Sequence, residues 1–158
     1  MYTTRKRRTK LRKRRTKLRK RRTKLRKRRK YILHEIYYKM AARDLYTALL
    51  DEDWNKARNM MYQNVNLMWY SLDVHGRIAA HLIIQRGNVD MLQFMYDNIL
   101  HQYGRTTRKK TENLVQQMLC DVFEKGDMHH FLPVHEAAVK GHTKCIEWLV
   151  RHCPSGIS

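Results

Sequence analysis

Nine histidines and three cysteines are the residues of this 158-residue chain with the most chemistry to offer. His135-Glu136 has the beginning of a zinc-protease motif, in which a second His one helical turn later completes a metal-binding face. That place is held by Val139, so the second ligand is missing. His142, Cys145, His152 and Cys153 carry ligand-type side chains, but their intervals are not those of a structural zinc site. Cys145 also falls in phase with Ile146, Leu149 and Val150, which makes it an expected core thiol. Three cysteines without CxxC spacing fit a reducing compartment better than a disulfide scaffold. The expectation is a protein that is not an enzyme, with no cofactor and no metal.

The second chemistry on offer is positive charge. The formal balance is +20, from 34 Lys and Arg against 14 Asp and Glu, and 20 of the basic residues lie between Arg5 and Lys30, a stretch without an acid. Residues 31–158 are therefore formally neutral. The basic stretch is a tandem repeat: Thr9 to Arg15 recurs unchanged at Thr16 to Arg22 and Thr23 to Arg29. One apolar residue in seven cannot bury enough surface to offset ordering, so residues 1–30 are expected to be disordered. A coiled coil needs two apolar positions per heptad and is not expected. Arg12, Lys13, Arg14, Arg15, Arg19, Lys20, Arg21 and Arg22 are candidate contacts to a nuclear import receptor, or to the phosphates of DNA or RNA without base specificity. The competing reading is duplication of a short coding unit with no selected role.

No apolar stretch reaches the roughly 18 to 20 residues needed to cross a bilayer, and Leu11, Leu18 and Leu25 are too isolated for a secretory signal. The expected location is cytoplasm, nucleus or both.

The elements that position the histidines emerge from a search for self-similarity in residues 31–158. Leu132-Pro133-Val134-His135-Glu136-Ala137-Ala138-Val139-Lys140-Gly141-His142, followed by Cys145-Ile146 and Leu149-Val150, predicts a short helix entered through proline, a glycine stop and a second helix. A second copy runs from Asp73-Val74-His75-Gly76 through Ile78-Ala79-Ala80-His81 and Gly87-Asn88 to Met91-Leu92 and Met95-Tyr96. A fainter copy starts at Ile32-Leu33-His34-Glu35-Ile36, with Met40 where the glycine stood and Leu45, Ala48 and Leu49 on the following helix. Met60, Met61, Met91 and Met95 are read as adaptable core residues.

These segments resemble the ankyrin repeat, whose signature is a turn, a Thr-Pro-Leu-His helix start, an Ala-Ala pair, Gly-His and a second helix closing on paired leucines. The resemblance implies an all-α fold, a short irregular ankyrin-repeat solenoid behind a disordered basic N-terminal tail. Its domain would occupy residues 31–158, with units near 31–50, 73–100 and 131–153. It also implies that His34, His81 and His135 share one structural role near the helix start. The intervals between them are about 14 and 21 residues longer than the roughly 33-residue repeat. The second surplus holds a basic turn at residues 105–110 and an amphipathic segment, Leu114-Val115, Met118-Leu119 and Val122-Phe123, expected to pack on the second repeat.

Leu33-His34-Glu35-Ile36, Asp73 to His81 and Ile146-Glu147-Trp148-Leu149, with the long segments between repeats, resemble the IκB-like inhibitors. The short length narrows this to the truncated IκB-like ankyrin proteins of insect-parasitoid polydnaviruses. The resemblance implies a noncatalytic binding module that holds Rel/NF-κB-type transcription factors off DNA and suppresses host immune signalling, in a host cell. On the turns and first helices of such units, the candidate partner-binding residues are Tyr70, Leu72, Val74, His75, Arg77, Gln85, His129, His130, Phe131, Glu136 and Lys140. The alternative function is a nuclear adaptor whose basic tail binds nucleic acid. No polar terminal repeat follows Val150, so self-association through the last repeat is a further expectation.

Overall fold

No glycine or proline falls between Tyr2 and Leu50, and Lys, Arg, Leu and Ala, all strong helix formers, make up most of that stretch. In the structure, a computed structural model, this stretch is one helix, α1 (Tyr2–Leu50). The structure describes residues 2–103, 116–118 and 120–153, with side chains from residue 15 onward. By compactness the chain divides into Met1–Lys39 and Met40–Ser158.

Within the first part, residues 15–30 are exposed around the whole circumference of the helix. The expected disordered tail is therefore helical here. Repulsion between like charges one turn apart costs only about 0.2–0.5 kcal/mol per pair, and exposed side chains leave those charges in water. The Thr23 hydroxyl donates to the Arg19 carbonyl at 3.0 Å, so the threonine of the repeat finds a partner inside the helix. Thr47 does the same with Arg43 at 3.1 Å nearer the helix end.

Among the described residues the second part holds no strand and is built from helical hairpins. The first joins the end of α1 to α2 (Trp54–Gln63), which leads into a 3-10 turn at Val65–Met68. The second joins α3 (Ala79–Gln85) to α4 (Val89–Tyr103), and the third joins α5 (Pro133–Lys140) to α6 (Thr143–His152). One reversal serves all three. A left-handed residue stands after the first helix: Glu52 at φ 58°, Gly87 at φ 68°, Gly141 at φ 72°. The next N–H then reaches back five residues, from Asp53 to the Ala48 carbonyl, Asn88 to Ile83 and His142 to Ala137, at 2.9, 3.2 and 2.8 Å. Asp53 and Asn88 start the second helices, accepting from the N–H groups of Lys56 and Met91, each at 3.0 Å.

The first hairpin corrects the expected unit at residues 31–50. Met40 is mid-helix and not a stop; Leu45, Ala48 and Leu49 close the first helix of the hairpin and do not belong to the second. The stop is Glu52, a residue type that seldom signals a left-handed position.

The core runs through the hairpins as Leu45, Leu49, Ala57 and Met61, then Ile83, Ile84, Met91, Leu92, Met95 and Ile99, then Ala137, Cys145 and Leu149. Of the four methionines expected in the core, Met61, Met91 and Met95 are buried and Met60 is half-buried. Of the amphipathic segment ahead of α5, Val122 and Phe123 are buried, while Leu114, Val115, Leu119 and the basic turn at 105–110 lie outside the described residues. Phe123 sets its ring 5.2 Å from that of Trp148, and Gln116 donates to the His152 carbonyl at 2.8 Å. These contacts are to the third hairpin, whereas the second was expected. The Lys125 ammonium donates to the Trp69 carbonyl at 2.7 Å.

Candidate protein-binding surface

The turns ahead of α3 and α5 are built alike, and an aspartate explains each. Asp73 Oδ1 accepts from the N–H groups of His75 and Arg77 at 3.0 and 3.1 Å; Asp127 Oδ1 accepts from those of His129 and Phe131 at 2.8 and 2.9 Å. Gly76 and His130 stand in the same left-handed place, at φ 77° and 60°. Residues 72–99 and 126–153 thus correspond at a constant offset of 54 positions, visible in the turn, the histidine and the helix stop. Burial raises the pKa of the Asp73 carboxyl, but the Arg77 guanidinium, 2.6 Å from Oδ2, outweighs this and holds it below the usual carboxylate range. The turn N–H groups of Phe131 and His129 hold Asp127 low as well.

His81 and His135 occupy equivalent places near the starts of α3 and α5. His81 Nδ1 accepts from the Ile78 N–H at 3.3 Å, and His135 Nδ1 from the Leu132 N–H at 3.0 Å. Each ring thereby fixes its own tautomer, with the proton on Nε2. His81 is 1% exposed and uses that proton on the Phe131 carbonyl of the next hairpin at 2.8 Å. Desolvation pushes its pKa below the ordinary imidazole value, and the Phe131 carbonyl, Asp127 and Glu136 only partly offset this. His34 does not belong to the set. It is exposed in the middle of α1 with its ring 4.6 Å from Tyr38, because no turn precedes it to supply an N-cap.

Two further hydrogen bonds join the second and third hairpins. The Met128 N–H donates to the His75 carbonyl at 2.8 Å, which locks the turn tips in step. His142 Nε2 donates to the Gln85 carbonyl at 3.1 Å, with its ring over Gly87.

This scaffold sorts the candidate contact residues. Val74, 88% exposed, heads the outward group with His75, His129, His130, Phe131 and Lys140. His75 and His129 bring their rings to 6.5 Å across the tips. Three candidates are tied up inside the scaffold. Leu72 is buried, its N–H on the Arg77 carbonyl at 2.7 Å; Arg77 is paired with Asp73; and the Gln85 backbone belongs to the joint with the third hairpin. Tyr70 and Glu136 are half-buried. Arg15, Arg19, Lys20, Arg21 and Arg22 are exposed on α1; Arg12, Lys13 and Arg14 precede the first described side chain.

Sequence reasoning missed the aromatic cluster at the end of α6. His152 stacks on Trp148 at 4.2 Å, Tyr96 lies edge-on to both, and the Trp148 indole N–H reaches Gln93 Oε1 at 2.9 Å. The pairing of Tyr96 with His152 crosses hairpins, and no local pattern announces it. The three cysteines are free and buried, and burial raises the pKa of Cys145 and Cys153, so both stay thiols. No group of three metal-ligating side chains exists among the described residues. No described helix is long and apolar enough to cross a membrane. Comparison with protein-family models, curated proteins and solved structures finds no match for this chain.

Proposed function

We propose that the protein is a noncatalytic protein-binding module of ankyrin type, and that its partner seats on the paired turn tips at 73–77 and 127–131. The observation that carries this is the Met128 to His75 backbone bond at 2.8 Å. It holds two turns in fixed register while Val74, His75, His129 and Phe131 are left to solvent. A surface ordered before binding loses less entropy on association. The IκB-like residues named above select the partner class within this reading: a Rel/NF-κB-type factor masked sterically from DNA, in the cytoplasm or nucleus of a host cell. The test is binding of the full chain to a purified Rel-homology domain at about 0.15 M salt, where the Debye length of about 8 Å screens the tail. Saturable binding lost in Val74→Glu/Phe131→Ala supports the reading; no binding, or binding indifferent to these changes, removes it.

A second reading rests on a separate observation, the fully exposed basic face of α1 over residues 15–30. It is a nucleic-acid-associated adaptor in which α1 neutralises phosphates. Its affinity for a duplex of arbitrary sequence would fall steeply with salt, whereas binding through the turn tips would not.

A further inference from the structure

Residues 15–30 of α1 carry Lys and Arg on every side and no acid, and the next two turns of the same helix are apolar. Ile32, Leu33, Ile36 and Tyr37 stand there at helical spacing, each 48–58% exposed. At about 100° per residue, Leu18, Leu25, Ile32 and Ile36 fall within about 40° of one another around the helix, a stripe about 27 Å long. Leu18 and Leu25 are exposed on it as well. Leu33 and Tyr37 widen the stripe beyond the basic run. Glu35, the one acid between residues 15 and 39, lies off the stripe and is paired with Lys39 at 2.9 Å. Apolar contact and unopposed positive charge are thus displayed by one continuous helix.

These two properties together select the occupant. A second copy would bring the same cations against these and no acid to answer them. Nucleic acid would take up the Lys and Arg through its phosphates but leave Ile32, Leu33 and Ile36 in water. A protein groove enclosing the helix would strip water from cations on every side and would have to pair each of them. An anionic bilayer surface meets the helix along one side only, so the cations on the far side stay hydrated. Its headgroups attract Lys and Arg, its acyl boundary receives the aliphatic side chains, and Tyr31 and Tyr37 suit the level between. Arg22 and Arg29 border the stripe, where their stems can rest on the apolar layer with the guanidinium turned to the headgroups.

We infer that α1 is a peripheral membrane-binding helix that lies on an anionic lipid surface, with Ile32, Leu33 and Ile36 seated in the acyl boundary and the cations of residues 15–30 on the headgroups. Either contribution alone holds a chain only marginally, and the pair makes a stable anchor. The turn-tip surface is a separate feature, and the inference does not rest on it. The nucleic-acid reading draws on the same cations, and the apolar stripe separates the two.

The test is sedimentation of the full chain with vesicles at about 0.15 M salt, where long-range attraction is screened. The vesicles are equal parts phosphatidylcholine and phosphatidylserine, or phosphatidylcholine alone. The chain is expected to sediment with the anionic vesicles and far less with the neutral ones. Ile32→Gln/Leu33→Gln/Ile36→Gln keeps the net charge, and it is expected to weaken binding to the anionic vesicles about tenfold or more while leaving affinity for a duplex DNA unchanged. All three residues are exposed, so the variant keeps its fold, which an unchanged circular dichroism spectrum verifies. Failure of the native chain to bind the anionic vesicles while it binds the duplex would assign the helix to nucleic acid and overturn the inference. Equal vesicle binding by the native chain and the variant would reduce the contact to charge alone and overturn it too.

Discussion

His81 donates from Nε2 to the carbonyl of Phe131, fifty residues on, while its Nδ1 accepts from the Ile78 N–H three residues back. One imidazole therefore starts a helix and fastens the following hairpin. His135 makes the first bond and not the second. Replacing His81 by Phe leaves the buried Ile78 N–H unpaired and takes one of two donors from the Phe131 carbonyl, which the Asp127 N–H also reaches at 3.0 Å, and is expected to cost about 1–3 kcal/mol. His135→Phe forfeits only a cap and is expected to cost about 0.5–2 kcal/mol. Urea unfolding of both variants measures the gap, and equal losses would contradict the role given to the Phe131 bond.

The same residue sets an acid limit. Burial lowers the folded-state pKa of His81 below the ordinary value of 6.5, so between the two values the unfolded chain binds the extra proton. The stabilisation is complete above pH 6.5 and is lost as pH falls below it toward the depressed value. Protonation would also set an Nδ1–H against the Ile78 N–H. The melting midpoint should drop over this range in the native chain, and the drop should shrink in His81→Gln.

Gly87 and Gly141 share a left-handed φ but not their surroundings. Gly141→Ala is expected to cost only the conformational penalty of about 1–2 kcal/mol. Gly87→Ala adds a collision with the His142 ring and should cost about 1–2 kcal/mol more. Thermal melts of the two variants separate strain from contact.

Asp73→Ala removes the acceptor of two turn N–H groups and the partner of Arg77. A loss of about 1–3 kcal/mol is expected, as for other charge-assisted turn contacts in a largely buried place. Hydrogen exchange should locate the loosening at the His75 and Arg77 amides; unchanged protection there would show that the turn holds without its aspartate.

The basic helix is checked by circular dichroism on the full chain at rising ionic strength. Screening weakens the repulsion between its charges, so helical signal should increase with salt.

The second and third hairpins are legible because their punctuation is local: a turn sequence at 73–76 or a proline at 133 ahead of the helix, His three places into it, Gly at the stop. The same logic misled at the first hairpin. Ile32-Leu33-His34-Glu35-Ile36 has the letters of a repeat but lacks the turn ahead of it, and Glu52 conceals the stop that Gly marks elsewhere. Disorder in the basic stretch is expected from its like charge and its single apolar residue in seven, but Lys, Arg and Leu without Gly or Pro also favour a helix, which needs no buried face to form. Of the candidate contacts, Leu72 and Arg77 were misplaced because the hairpin that encloses them closes on itself, through the Arg77 carbonyl and Asp73, at a range that positional analogy does not see.

The seven-residue unit of the basic stretch has one more consequence. Seven residues are two helical turns within about 20°, and about 10.5 Å of helix length. Gaining or losing a whole copy would lengthen or shorten α1 by that step while leaving each residue type on nearly the same side. Copy number can therefore drift between related chains as a change of reach, without altering the pattern of charge that the helix displays.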